Sequence, residues 1–533
     1  RPRPCSLKAL VHRPLSGLYT PRPRRLVVAE MVGRARKRLS SLDDSALVDL
    51  LEDVVYHERQ RLRRRTEPEQ LERVDAAAHA VVRGDRHGQT EAMLALVAAF
   101  SDEIHGRFDP RVYKIATRML PRALTALLSQ RKRRGGWSPD PSTRLVVEGD
   151  VQWVRELAQE ATLILAPTHV SNLDSPMIGL ALYLSGLPPF VYGAGLNLFS
   201  NPVMGWWMHR LGAYTVDRTK RSSLYKDTLK DYSVRSLTTR HHSLFFPGGT
   251  RSRSGLVETR VKKGLLGTGL AAWQEMIAAG RPDSDVYVVP LTLSFQLVLE
   301  ANTLIQDHLA EAGKQRYIID DDEFARPRRL VEFANRVLDL DASVVARFGT
   351  PLDCLGNPVP RDRIARAAES ARRRRYVTDR TGAVEIDPQR DRVYTDRLSD
   401  ALVKAYPKGA QAMVTHMVAD AAWTCLEQKL GTRDVYRILR SPLEQRRLDP
   451  GELRQHLTAT VERVRAGVVA GRWHADLTPG PDAVELVLHQ GLDRFTRYHR
   501  SYALIRQRDA FVVEDPQLCL YYRNRLQYTH VEA

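Results

Sequence analysis

Residues 163–176 read LILAPTHVSNLDSP, an apolar run that breaks into a turn holding His169 and Asp174. Five positions of a helix turn by about 500°, which leaves the two side chains about 140° apart. On a strand the odd spacing puts them on opposite faces. The pair meets only if the chain bends between them, and Ser171 and Asn172 are residue types that favour a bend by hydrogen-bonding their own backbone. The stretch predicts a strand, a turn and the start of a helix.

The same texture extends around it. Over residues 136–356 the runs TRLVVEG, TLILAP, PFVYGA, GAYTVD, SLFFPG, DVYVVPLTLSF and SVVARFG alternate with helical segments. That alternation predicts an α/β domain, a mixed sheet flanked by helices. Residues 1–135 are rich in Leu, Ala, Arg and Glu at helical spacing, as in LVDLLEDVVYHERQRLRRR, and read as a helical N-terminal region closing on the cluster Arg131 to Arg134. Residues 357–533 read as a mostly helical C-terminal region with the solvated run Arg372 to Arg375 and a last segment, DPQLCLYYRNRLQ. There is no internal repeat.

With 533 residues and 43% hydrophobic content, the chain is long and apolar enough for two or three domains and is not a disordered tail. The net charge of +18 predicts an anionic partner: nucleic acid, a phospholipid surface or a phosphorylated small molecule. The basic runs carry no nucleic-acid motif and the charge is scattered, which sets nucleic acid aside. Cys5, Cys354, Cys425 and Cys519 are far apart without a C-x-x-C pair, so neither a metal site nor a disulfide scaffold is expected, and a reducing cytoplasm fits. The longest apolar candidate, MIGLALYLSGL from Met177, stops at Pro188 and Pro189, too short to span a bilayer. The expectation is a cytoplasmic protein, peripheral to an anionic membrane. The sequence opens on Arg1, and a targeting segment before it is left open.

Three further stretches follow His169 and Asp174: GAYTVDR (212–218), FPGGTRSRSG (246–255) and VVPLTLS (288–294). Each stands at or just after a strand-like run, where an α/β sheet exposes its site. In this order they resemble the four blocks of the glycerolipid acyltransferase superfamily, of the glycerol-3-phosphate and lysophosphatidate acyltransferase type. The first block, H-x-x-x-x-D, is matched by His169 and Asp174; the second, a Gly, an aromatic and a closing Arg, by Gly212, Tyr214 and Arg218. The third usually reads F-P-E-G-T-R-S and is matched at Phe246, Pro247, Gly249, Thr250, Arg251 and Ser252, with Gly248 where most of the family carries glutamate. The fourth centres on Pro290, and the terminal LYYRNRL resembles the end of the larger glycerol-3-phosphate acyltransferases.

The resemblance implies the acyltransferase fold, with no bound cofactor. It implies transfer of a fatty acyl group from an acyl thioester, acyl-CoA or acyl-ACP (acyl carrier protein), to glycerol 3-phosphate in phospholipid biosynthesis. Lysophosphatidate is the alternative acceptor, and a catalytically lapsed membrane-binding scaffold the alternative from another class.

The chemistry of the residues agrees. A neutral imidazole is suited to take a proton from an acceptor hydroxyl at neutral pH, which makes His169 the base, with Asp174 fixing its tautomer. Guanidinium forks match phosphate oxygens, which assigns Arg218, Arg251 and Arg253 to the acceptor's phosphate. Alternation along T-R-S-R aims Arg251 and Arg253 the same way if the strand continues. Gly248 and Gly249 permit close approach and offer amides to a phosphate or an oxyanion. Lys262 and Lys263 read as surface charges near this site, and His241 and His242 as structural. Met177 to Leu187, with Trp206 and Trp207, read as core packing, or else as an acyl-chain channel or bilayer contact. The clusters Arg131 to Arg134 and Arg372 to Arg375 read equally as solvated faces or as contacts for anionic headgroups.

Overall fold

The computed structural model describes residues 22–63, 67–117, 119, 145–199, 202–281, 284–312, 344–477, 480, 482–497 and 499–530. The apolar runs become strands: β1 (Leu145–Gly149), β2 (Thr162–Pro167), β3 (Val191–Gly195), β4 (Ala213–Val216), β5 (Ser243–Leu244), β6 (Val286–Phe295), β7 (Val344–Phe348) and β8 (Leu352–Asp353). They form one sheet in the order β1-β7-β6-β2-β5-β3-β4, with β8 also on β6. β2 runs parallel to β5 and β6, and β3 parallel to β4 and β5. β7 and β8 are antiparallel to β6, which makes the sheet mixed, as expected.

β2 shows why these runs read as unbroken apolar stretches. All six of its residues are buried. Leu163 and Leu165 belong to the core on one face, Ile164 and Ala166 to the core on the other. A strand covered on both sides has no polar face to alternate with. Pro290 lies inside central strand β6, where a missing N–H would ordinarily break the ladder. It falls between two partners: Tyr287 and Val288 pair with β8, and Leu291 to Phe295 pair with β7. Its carbonyl accepts from the Gly349 amide at 2.8 Å.

The N-terminal region is helical as read, with α1 (Arg24–Ser40), α2 (Asp44–Leu62), α3 (Pro68–Arg83) and α4 (Arg86–Ile104). Asp43 and Asp85 cap α2 and α4, each accepting first-turn amides. The central region adds α5 (Val151–Glu160), α6 (Asp174–Leu184), α7 (Pro202–Arg210), α8 (Ser223–Thr238), α9 (Thr268–Ala278) and α10 (Ala301–Ala312). Met31, Leu51 and Phe100 share a core with Tyr225 and Tyr232 of α8, so the N-terminal helices close one flank of the sheet. Beyond the sheet come α11 (Arg363–Arg374), α12 (Pro388–Gly409), α13 (Val414–Lys429), α14 (Pro450–Val469), α15 (Ala483–Phe495) and α16 (Pro516–Asn524). Trp423, Tyr521 and Tyr522 join the same core as Leu163 and Val289.

Several surface readings change. Arg373 is not solvated: it is 3% exposed, bonds Asp285 at 3.1 Å and lies over the rings of Trp273 and Tyr287. Arg372 is exposed and pairs with Glu369. Met177, Ile178, Leu180 and Leu182 are core, whereas Trp206 is half exposed beneath the Arg210 guanidinium. His241 and His242 are buried, and His242 Nδ1 accepts the Leu163 amide at 3.0 Å, a structural use. Arg131 to Arg134 lie outside the described residues. Among the described residues no helix is long and apolar enough to cross a membrane.

Candidate active site

The chain leaves β2 tethered to β6. The Thr168 amide donates to Leu291 and its hydroxyl accepts from the Leu293 amide, both at 2.9 Å. The next residue is His169. Five positions on, Asp174 opens α6 and turns its carboxylate back over the loop, so that one oxygen accepts from His169 Nδ1 (2.7 Å), Val170 N (2.6 Å) and Ser171 N (3.0 Å). The bend demanded by the spacing is therefore closed by the aspartate itself. Asp174 is fully buried at the positive end of a helix dipole, which favours its charge. With Nδ1–H donated to a carboxylate, Nε2 keeps the lone pair, the form a general base needs. The ring is 17% exposed and stacks on Phe246 with centroids 4.1 Å apart.

A second carboxylate holds the floor of this loop. Glu300, buried just before α10, accepts from the Ser171 hydroxyl (3.0 Å), the Asn172 amide (2.5 Å) and Arg251 Nη1 (2.9 Å). Sequence reasoning missed it. Its one signal is a lone acid ending the apolar run that begins at Val286.

The third block does not continue as a strand. β5 ends at Leu244 and the chain from Phe246 to Lys262 is turns and loop, so the alternation argument for Arg251 and Arg253 lapses. Arg253 pairs instead with Glu311, at 3.0 Å. Eleven helical positions separate that carboxylate from Glu300, a rise of about 16 Å. Gly249 adopts φ 77° and its amide closes a turn onto Phe246 O at 3.0 Å, so that amide is not free for a phosphate or an oxyanion. Thr250 is exposed at the tip of the turn. Ser252 donates its amide to the His169 carbonyl at 2.8 Å, joining the first and third blocks. Lys262 lays its side chain across Gly249, and Lys263 pairs with Asp396.

The second block divides. Gly212, with φ 104°, fits beneath the Phe190 carbonyl. Tyr214 is buried beside Tyr232 in the core shared with the N-terminal helices, where burial raises its pKa; its role there is packing. Arg218, just beyond β4, is exposed and has no carboxylate partner among the described residues. Partial desolvation, and then the charge of Arg251, lower its pKa. Two guanidiniums share a neighbourhood and Glu300 compensates one of them, so the electrostatics favour an added anion.

The C-terminal LYYRNRL braces this loop. Asn524 donates to the Ser254 carbonyl (2.8 Å), and Arg525 to the carbonyls of Gly255 (3.4 Å) and Leu293 (3.3 Å). Gly255 has φ 84°, and a Cβ there would lie 2.4 Å from the Tyr521 carbonyl. Among the described residues no group of three or more His, Cys, Asp or Glu side chains is placed to hold a metal ion.

Residues 150–294, which contain all four blocks, match the Acyltransferase family. Those 145 of the chain's 533 residues are an Acyltransferase-family domain. This acyltransferase domain is similar to part of the glycerol-3-phosphate acyltransferases of Ectopseudomonas mendocina (strain ymp), 29% identical over 172 residues, and Pseudomonas fluorescens (strain SBW25), 28% identical over 172 residues. Each match covers 32% of this chain and 20% of the relative, so the chain aligns with about a fifth of their length. The solved structure of the 1-acyl-sn-glycerophosphate (LPA) acyltransferase PlsC from Thermotoga maritima gives a TM-score of 0.26 at 14% identity, covering 72% of this chain and 96% of that one.

Proposed function

We propose that this chain is an O-acyltransferase that moves a fatty acyl group from an acyl thioester, carried by coenzyme A or acyl carrier protein, onto glycerol 3-phosphate in phospholipid synthesis. The observation that carries this reading is the His169–Asp174 pair, whose loop is tied through Glu300 to the cationic pair of Arg251 and Arg218. Nε2 of His169 takes the proton of the acceptor hydroxyl as its oxygen attacks the thioester carbonyl. The tetrahedral intermediate then collapses, the thiolate leaves, and the imidazolium returns the proton to it. Asp174 holds the ring and stabilises its charged form through the step. Arg218 and Arg251 bind the acceptor's phosphate. The names of the curated relatives support glycerol 3-phosphate as that acceptor.

The test compares acceptors. With a long-chain acyl-CoA and acyl-ACP as donors, thiol release is measured with glycerol 3-phosphate and with lysophosphatidate. Faster turnover on glycerol 3-phosphate supports the reading; preference for lysophosphatidate moves the protein to the other branch, and no transfer to either refutes it. The net charge of +18 supports an anionic membrane surface as the place where the enzyme works. Sedimentation with anionic vesicles at low salt, reversed as salt rises, tests that; release by detergent alone contradicts it.

A further inference from the structure

The family resemblance expects a carboxylate at position 248, where this chain has Gly248. The space that side chain would enter is already filled. A Cβ built on Gly248 lies 3.2 Å from Cγ of Glu258 and 3.6 Å from its Oε1. The backbone itself permits a side chain, since the positive φ of this turn belongs to Gly249 and not to Gly248. Glu258 thus reaches, from ten residues further on, the volume a residue at 248 would occupy.

What Glu258 does there is specific. Its Oε1 accepts the main-chain N–H of His169, while the Ser252 amide holds the His169 carbonyl. Both polar groups of the His169 main chain are therefore fixed by one loop, the third block and its continuation. Glu258 Oε2 is buried with no hydrogen-bond partner among the described residues. Burial raises this carboxyl to about 7, against the opposing pull of the His169 N–H and of Arg525. A buried carboxylate with one unpaired oxygen is costly to keep for packing alone.

We propose that Glu258 is a positioning residue that supplies, through space, the carboxylate absent at position 248, and that it acts through the His169 main chain to place the imidazole against the acceptor hydroxyl. The inference rests on the acyl-transfer reading above. A base displaced by about 1 Å loses on the order of 100-fold in rate, which sets the scale of the effect.

The experiment uses the full chain with its preferred acceptor and acyl thioester, and follows Glu258→Ala, Gly248→Glu and the double variant Gly248→Glu/Glu258→Ala, each checked by thermal unfolding. Glu258→Ala is expected to lower kcat by about 10- to 100-fold with both KM values within about threefold. Gly248→Glu alone crowds two carboxylates into one space and is expected to be impaired. The double variant is expected to recover about tenfold or more over Glu258→Ala. Near-normal kcat in Glu258→Ala, or a folded double variant no more active than Glu258→Ala, overturns the proposal. Should the wild-type chain transfer no acyl group, the functional reading fails by itself. Glu258 is then judged with 15N-histidine labelling: the downfield His169 amide proton must move upfield in Glu258→Ala and return in the double variant, and an unmoved resonance overturns the assignment.

Discussion

Arg251 donates to Glu300 at 2.9 Å, and the same carboxylate receives the Asn172 amide and the Ser171 hydroxyl. An arginine of the third block and the turn of the first are thus fastened to one buried group. The site's positive charge and its base are mechanically linked, although 81 residues of chain lie between His169 and Arg251.

Arg251→Ala is expected to raise the acceptor KM by about 10- to 100-fold and leave the thioester KM little changed, as loss of a charge-assisted bond to phosphate requires. The substitution also strands Glu300, 1% exposed, and is expected to lower unfolding stability by about 1–3 kcal/mol. Arg251→Ala with Glu300→Gln should restore stability without restoring the acceptor KM. Substrate kinetics and urea unfolding separate the two effects; a rise in the thioester KM instead would place Arg251 on the acyl donor.

Asp174→Asn keeps a carbonyl oxygen for the Val170 and Ser171 amides and for Nδ1–H, since neither main-chain N–H can accept from an NH2 group. What it removes is the negative charge that stabilises the imidazolium formed when Nε2 takes the hydroxyl proton. A fall in kcat of about 10²–10⁴ is expected with the circular dichroism spectrum retained. A folded variant within about threefold of wild type would remove Asp174 from the account.

Two buried histidines give the protein a pH signature. Burial holds His242 at about 3 and His499 at about 4. Below about 6.5 the unfolded chain binds a proton at each that the folded chain refuses, so stability is lost as pH falls from about 6.5 toward 4, by about 1.4 kcal/mol per pH unit for each histidine. Glu258, raised to about 7, has the opposite sign: between about 4.5 and 7 the folded chain holds a proton the unfolded chain lacks. These two histidines outweigh one carboxyl, and His105, held by burial at about 4, and His416, held by burial well below its ordinary value, act in the same direction. Urea unfolding at pH 6 and pH 5 should show a loss of about 1 kcal/mol or more on acidification, steeper in Glu258→Ala. Stability that is flat or rising on acidification would contradict these assignments.

How much of this was legible in the sequence depends on the range of the interaction. β2 and β6 announce themselves because both faces are covered and the apolar run is unbroken. His169 and Asp174 were legible because five-residue spacing leaves a bend as the one way to join them. Glu300 and Glu258 were not, since their partners stand 129 and 89 residues away and no local period links a lone acid to a distant amide. Arg253 was misdirected by a strand assumed to continue, whereas β5 is two residues long. In the run Arg372 to Arg375 successive side chains fan by 100°, so Arg373 turns inward to Asp285 while Arg372 faces solvent.

The central claim is that His169 is the base, and single-turnover acyl transfer to glycerol 3-phosphate by wild type and His169→Ala tests it most directly. Substrates are saturating and each protein's fold is checked by thermal unfolding. The ring is partly exposed at the end of a loop whose main chain is held independently by Glu258 and Ser252, so the variant is expected to fold. The account predicts that the folded variant loses about 10²–10⁴ in the rate of the chemical step. A folded His169→Ala that transfers the acyl group at near wild-type rate would contradict it.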